Sequence, residues 1–395
     1  MFKTNFVVCR FITLSHKYNP MKACILTASL ISCSVILITA CSAESEEITI
    51  MDLPELILSK SHTITESDEL LLGSITALHA DSEGNLILTD TQQRYVHAVD
   101  PQGNYIQTIG ARGSGPGEYQ FPGQVTTGND DAIHILDWST QAVSTFHKAD
   151  GGWAFSSDFN ANFSETGFYS AMLAAVPGSI FAVTRPNVLT DEDAMSVLRQ
   201  IDLEGNIVQD SLYAFPPPQQ FTITQDGMAR MSMSNPLMHR QGRVVADYSG
   251  NLYYGWTDSL YIKRKESAAS SFEPHISLDL PVREFSASMR DSMMNSFEPI
   301  LEGNNQARRD LRESFPETVP AFNIMVADDL GYLWVSVFDT DGKPEWIIFD
   351  ADGNPVYKTT LDDGYRLGAL RHGFAYLIST DDDGLPLVTV MKYSY

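Results

Sequence analysis

The residues with the most chemistry to offer sit at turns. Asp90, Arg94, Asp137, Trp138, Arg185, Trp256, Asp339 and Asp381 each close a short apolar run, and Arg112, His239 and Arg240 stand shortly before another. A guanidinium in such a place can fork onto a carboxylate or phosphate, and an indole can lie on the face of a sugar or peptide. An aspartate at a turn also has a plainer use, as acceptor for the turn's own backbone amides. The set points to a surface for a polar ligand, with part of its acidity committed to structure.

No catalytic constellation accompanies it. No serine stands in a Gly-x-Ser-x-Gly elbow. His62, His79, His97, His134, His147, His239, His275 and His372 share no position in the repeat described below, so they read as scattered surface or edge residues rather than zinc ligands. Asp339-Thr-Asp-Gly342 and Asp381-Asp-Asp-Gly384 look like calcium loops, but the remaining ligands do not follow and both fit hairpin turns. Met228, Met231, Met233 and Met238 offer thioethers for copper(I), yet filling gaps in a core is the expectation. Gly110–Gly115 is followed by no Gly-Lys-Ser/Thr, and Pro116 and Pro122 stop a helix opening there, so it reads as a turning loop. No catalytic residue, cofactor or metal site is assigned.

Composition narrows the partners. Asp and Glu number 50 against 26 Lys and Arg, a net charge of −24. That balance argues against nucleic acid, whose phosphates need a basic stripe, and against docking on anionic head groups. The hydrophobic share of 43% is enough for a core. The four cysteines, Cys9, Cys24, Cys33 and Cys41, all lie near the start. The body after Cys41 therefore has no disulfide scaffold, cysteine zinc site or cysteine nucleophile.

Residues 1–40 read as an address. Lys22 precedes the uncharged run Ala23–Ala40, and Ile38-Thr39-Ala40-Cys41 resembles the lipobox of bacterial lipoproteins. In that family the signal is cut before the cysteine, whose sulfur carries the lipid. Residues 1–20 then lie upstream of a complete signal that begins at Met21. Residues 41–47 form the lipidated cysteine and a short acidic tether, so the membrane contact is the lipid anchor alone. Lys3, Arg10, Lys17 and Lys22 are the only charges before Cys41, and losing them takes −24 to −28.

The body, residues 48–395, repeats. An apolar strand, Asp, two residues, Gly and a second apolar strand recur at Ile75–Leu88, Arg243–Tyr254 and Asn323–Trp334, with weaker copies at Val125–Leu136, Met172–Phe181 and Leu370–Leu377. Second hairpins follow at Val96–Ile106, Leu198–Val208 and Ile347–Val356. Two hairpins per unit make four antiparallel strands, one propeller blade. Six units give about 58 residues each, long for a blade of roughly 40–50. The excess falls in 285–315, where Met289, Met293, Phe297 and Ile300 recur at helical spacing. A helical insertion between blades four and five, packed on the ring, is expected. A strand within Ile48–Leu58 and Leu387–Tyr393 would join the two ends in one blade and leave no open edge.

Three stretches carry a resemblance: Gly110-Ala-Arg-Gly-Ser-Gly-Pro-Gly-Glu118-Tyr-Gln-Phe-Pro122, Tyr253-Tyr-Gly-Trp256-Thr-Asp-Ser-Leu-Tyr-Ile-Lys, and Leu330-Gly-Tyr-Leu-Trp334-Val with Trp346-Ile-Ile-Phe-Asp350. The body resembles the NHL-type six-bladed β-propellers, and most of all the propeller lipoproteins of Bacteroidota and related bacteria. The resemblance implies an all-β ring on the cell envelope, in the outer membrane if the host has one. Such rings host binders, lyases and hydrolases. Ser74, Gln124 and Arg243 near the inner-strand starts make no calcium cage of the lactonase type. The expected role is a non-catalytic binding or scaffold protein for a protein, peptide or glycan. A hydrolase or lyase sited in the central funnel, and a structural subunit of an envelope complex, are the alternatives.

Overall fold

One turn builds the structure. In the computed structural model, Asp81 Oδ1 accepts from the amides of Glu83 and Asn85 at 2.9 and 2.8 Å, and Asn85 Nδ2 donates to Oδ2 at 2.8 Å. Gly84 closes the loop at a φ of 84°, a conformation that favours glycine. The same bonds recur at Asp100, Asp202, Asp247 and Asp350, each with its Asn four residues on. Asp328 and Asp381 keep the two amide bonds without the asparagine. Each turn sets two strands antiparallel with their register fixed.

The structure describes residues 52–395 apart from 129, 161–167, 177, 186–194, 226–227, 234, 236–237, 302 and 339–342. Six four-stranded antiparallel sheets form a six-bladed β-propeller. Blade one is Ile75–Ala80, Leu86–Asp90, Tyr95–Val99 and Tyr105–Thr108. Blade two is Pro122–Thr127, Ile133–Asp137, Ala142–Ala149 and Gly152–Asn160. Blade three is Phe168–Val176, Ser179–Arg185, Ser196–Asp202 and Ile207–Phe215. Blade four is Gly242–Ala246, Leu252–Trp256, Leu260–Lys265 and Glu273–Leu278. Blade five is Met325–Ala327, Leu333–Phe338, Pro344–Phe349 and Pro355–Thr360. Blade six is Arg366–Arg371, Phe374–Thr380 and Pro386–Lys392, completed by Ser59–Ile64 from the other end of the chain. Second strands are buried without alternation because neighbouring blades cover both faces: every residue of Leu86–Asp90, Ile133–Asp137 and Leu333–Phe338 is buried.

Both ends of the chain do meet in one blade, with Ser59 opposite Lys392 and Ile64 opposite Val388. The strand lies beyond the stretch Ile48–Leu58 expected from sequence. Within that stretch, residues 54–56 run instead along the outer strand of blade five. Leu56 donates to the Lys358 carbonyl at 2.8 Å, and Lys358 donates to the Pro54 carbonyl at 3.0 Å. Leu53 and Leu56 are buried there as side-chain anchors.

Arginines join blade to blade. Arg366 donates to the Ile75 and Thr76 carbonyls at 2.8 and 2.9 Å, and Arg371 to the Ala80 carbonyl at 2.7 Å, closing blade six on blade one. Arg243 of blade four donates to the Asn323 carbonyl at 2.6 Å and to its Oδ1 at 3.0 Å, just before blade five. The glycine loop between blades one and two serves the same end. Its Tyr119 hydroxyl is buried between the Ile109 carbonyl (2.7 Å) and the Val96 amide (3.0 Å). Gly117, at φ 71°, has no room for a Cβ, which would fall 2.8 Å from the Phe155 ring.

The insertion between blades four and five is two helices, α1 (Ala287–Leu301) and α2 (Asn305–Glu313), with Asn304 Oδ1 capping α2 through the Ala307 amide at 3.0 Å. Met289, Met293, Leu301, Ala307 and Leu311 pack with Phe221, Met238, Val319 and Phe338 of the ring and its linkers. Phe221 belongs to a further hairpin, Phe221–Gln225 with Met228–Met233, inserted between blades three and four. Sequence reasoning saw only methionines there. Met238 does fill the core, and the side chains of Met228, Met231 and Met233 lie outside the described residues.

The turn aspartates differ in burial, and their removal should be felt accordingly. Asp247 is buried and also accepts from the Tyr253 hydroxyl at 3.3 Å, so Asp247→Ala strands several donors and should cost about 1–3 kcal/mol. Asp381 is exposed, and Asp381→Ala should cost no more than about 1 kcal/mol. Urea unfolding of the two variants measures the difference; equal losses would contradict this role for the buried turns.

Candidate functional site

The first strands of the six blades surround a cavity of about 250 Å³, bounded by one residue or more from each: His79, Thr126, Met172, Ala246, Ala327 and Gly368. Asp247 and Tyr248 of the turn after Ala246 line it too, so the cavity reaches the lower face, which carries the turns at Asp81, Asp247 and Asp328. The Arg371 guanidinium lies 4.3 Å from the centre of the Tyr248 ring at this end.

The upper face carries the turns between second and third strands and the loops leading into each first strand. Asp90 and Asp137 hold two of these loops from within. Asp90 accepts from the amides of Gly73, Ser74 and Gln93 at 2.5, 3.0 and 2.9 Å. Asp137 accepts from Gln120, Phe121 and Ser139 at 2.8, 3.2 and 2.7 Å. Both are buried, and both act as loop caps rather than as open acceptors for a ligand.

What those loops present is an aromatic shelf. The Trp138 amide donates to the Phe121 carbonyl at 3.0 Å, and the two rings stack at 5.7 Å with 18° between their planes. Arg94, held at a φ of 62° in its turn, places its guanidinium 5.8 Å from the centre of the Phe121 ring. Trp138 remains 48% exposed. The shelf borders a cleft of about 470 Å³ that also touches Thr76, Gly123 and Ala171 of the first three blades. Gly123 is required by this packing: a Cβ there would lie 2.1 Å from the indole. Phe121 and Gly123 were not singled out from sequence; a glycine beside an apolar ring next to an inner strand was the available signal.

The other expected residues are dispersed. Arg112 is exposed on the glycine loop. Arg240 is held by Asp258 at 3.0 Å and by the Thr318 carbonyl at 2.8 Å, which pins blade four to the segment after α2. His239 is buried and accepts from the Asn235 amide at 2.9 Å through Nδ1. Trp256 is half-buried at the end of the second strand of blade four, packed on the cluster of Phe215 and Tyr254. Asp381 caps its own exposed turn. Arg185 ends the second strand of blade three, beside the start of the inner strand. Asp339 with the 339–342 run, and Cys41, lie outside the described residues. Among the described residues no three of His, Cys, Asp and Glu come together to hold a metal ion.

The histidines correct one expectation. His97, His134 and His239 are buried, not surface residues. Burial pulls His134 down to about 4 against the attraction of Asp130, and pulls His79 down to about 4 against a bond to the Val125 backbone. His79 keeps some surface toward the channel but has protein on all sides, so both rings are neutral at pH 7.

Residues 63–165 match the family model DUF5128, described as a 6-bladed beta-propeller. No curated protein matches the chain. Two solved structures share the fold at low identity. One is a "Putative exported protein" from Bacteroides fragilis NCTC 9343, 14% identical, covering 86% of this chain and 95% of its own, with a TM-score of 0.53. The other is a member of the duf4221 family from Bacteroides vulgatus, 12% identical, covering 87% of this chain and 99% of its own, with a TM-score of 0.53.

Two outcomes test this geometry. Gly123→Ala should lift the Trp138 indole off the backbone and shift its fluorescence while the ring stays folded; an unchanged spectrum would contradict the packing. His79 and His134 are harder to protonate folded than unfolded. Their contribution is therefore complete above pH 6.5 and is lost as the pH falls from 6.5 toward 4, by about 1.4 kcal/mol per pH unit for each. Urea unfolding between pH 7 and 4 should show this slope, and His79→Gln should remove its share and leave that of His134.

Proposed function

We propose that the protein is a lipid-anchored, NHL-type propeller of the cell envelope that binds a partner on its upper face without transforming it. The observation that carries the reading is the Arg94–Phe121–Trp138 shelf. A half-exposed indole, stacked and backed by glycine at the edge of a cleft, is a costly surface to leave in water and a good one for a sugar face or a peptide. The opposite side of that face is covered by the two inserted modules, which bury their apolar residues on each other and on Phe338. A ligand is therefore directed to blades one to three.

The anchor rests on the lipobox at Cys41. An envelope location is in keeping with the exported protein of Bacteroides fragilis that shares the fold. No helix among the described residues is long and apolar enough to cross a membrane.

A photo-crosslinking amino acid placed at Trp138 in the intact, tethered protein should capture an envelope component that the same probe at Tyr261, exposed on the third strand of blade four, does not. Equal capture at both positions, or none at Trp138, would overturn the binding surface. Cys41→Ser should abolish lipid labelling and release the protein; a variant still labelled and membrane-bound would overturn the anchor.

A further inference from the structure

Two arginines at the upper end of the junction between blades three and four pair with no acid among the described residues. Arg185 ends the second strand of blade three, opposite Phe168 at the start of that blade's inner strand. Arg243 stands at the start of the inner strand of blade four, opposite Gly255. The two residues thus occupy the same end of adjacent blades. Among the described residues no carboxylate forms an ion pair with either. Arg243 commits Nε and Nη2 to Asn323. Arg185 Nε is shielded from water and has no hydrogen-bond partner among the described residues.

The pair is physically unfavourable as it stands. Burial pulls Arg185 below its ordinary value, and pulls Arg243 down to about 10, with the charge of Arg185 adding to the effect. A buried cation with no counter-charge, beside a second of the same sign, is destabilising unless something completes it. Arg366, the other arginine at the start of an inner strand, has both terminal nitrogens on backbone carbonyls and a structural use. Arg185 has none of that kind among the described residues.

We propose that Arg185 and Arg243 form an oxyanion site at the upper end of the junction between blades three and four, and that it takes the carboxylate of a small ligand. Guanidinium nitrogens present planar paired donors that match a carboxylate fork. A chain carrying −24 repels polyanions, whereas a single carboxylate on an otherwise neutral molecule meets little of that field at physiological salt, where it decays over about 8 Å. The site is separate from the aromatic shelf, so its failure leaves the shelf standing, and Trp138→Ala should not alter it.

Thermal unfolding of the whole protein tests this, with sodium acetate or glutamate exchanged for chloride at constant ionic strength. Wild type should gain about 4 °C when the carboxylate exceeds its Kd a hundredfold. Arg185→Gln should lose that gain and, in chloride alone, melt at or above wild type because the repulsion is relieved. A residue needed only for structure would melt lower and keep the response, which would overturn the site. So would a wild type indifferent to carboxylate, or one stabilised as much by inorganic phosphate as by acetate. Asp191, Glu192 and Asp193 follow in sequence. If carboxylate acts only after these are changed to Asn, Gln and Asn, the chain supplies its own counter-charge and the proposal fails.

Discussion

A carboxylate that accepts two backbone amides of its own turn is the interaction on which the ring depends. At the lower face the aspartates at 81, 100, 202, 247 and 350 take these amides while Asn locks the second oxygen; Asp81 and Asp247 are buried, where an amide without an acceptor is costly, and the other three hold exposed turns in register. On the upper face Asp90 and Asp137 do the same for longer loops. The acidity of the chain is thus partly internal scaffolding, which a formal charge of −24 does not reveal. With these hairpins fixed in this way, the second strands can be buried along their whole length and the blades can stack on both faces.

Stacking is completed by groups that cross from one blade to the next. Guanidiniums reach neighbouring carbonyls at Ile75, Thr76, Ala80 and Asn323, and the Tyr119 hydroxyl bridges blade one to the loop that leaves it. The termini complete the ring in blade six. The Tyr395 ring also stacks 3.8 Å from Tyr332, and its hydroxyl accepts from Trp334 Nε1 at 2.8 Å, which ties the end of the chain to blade five. A closed frame of this kind can carry an exposed indole on one loop without deforming, so the shelf is preorganised. The two insertions make the upper face unequal, covered near blade five and open near blade two.

Much of the frame was legible because its signals are local. Asp, Gly and Asn at fixed spacing mark a turn whatever surrounds it, and those turns carried the blade count, while the helical spacing of Met289, Met293 and Phe297 located the insertion. The shelf was half legible. Arg94 and Trp138 stood out by type, but Phe121 and Gly123 matter through a stacking that depends on strands paired at a distance. The burial of His97 and His134 could not be read from spacing, because polar residues on the middle strands of a blade are covered by the next blade. The path of residues 54–56 along blade five was hidden for the same reason: Lys358 is some three hundred positions away in the chain.

Hydrogen–deuterium exchange of the purified ring, alone and with solubilised envelope of its own cells, addresses the central claim that the upper face near blades one to three takes the partner. Slowed exchange should appear at 121–124 and 137–142 and leave the lower turns at 81–85 and 247–251 unchanged. Protection confined to those lower turns, or to the outer strands of the rim, would contradict it.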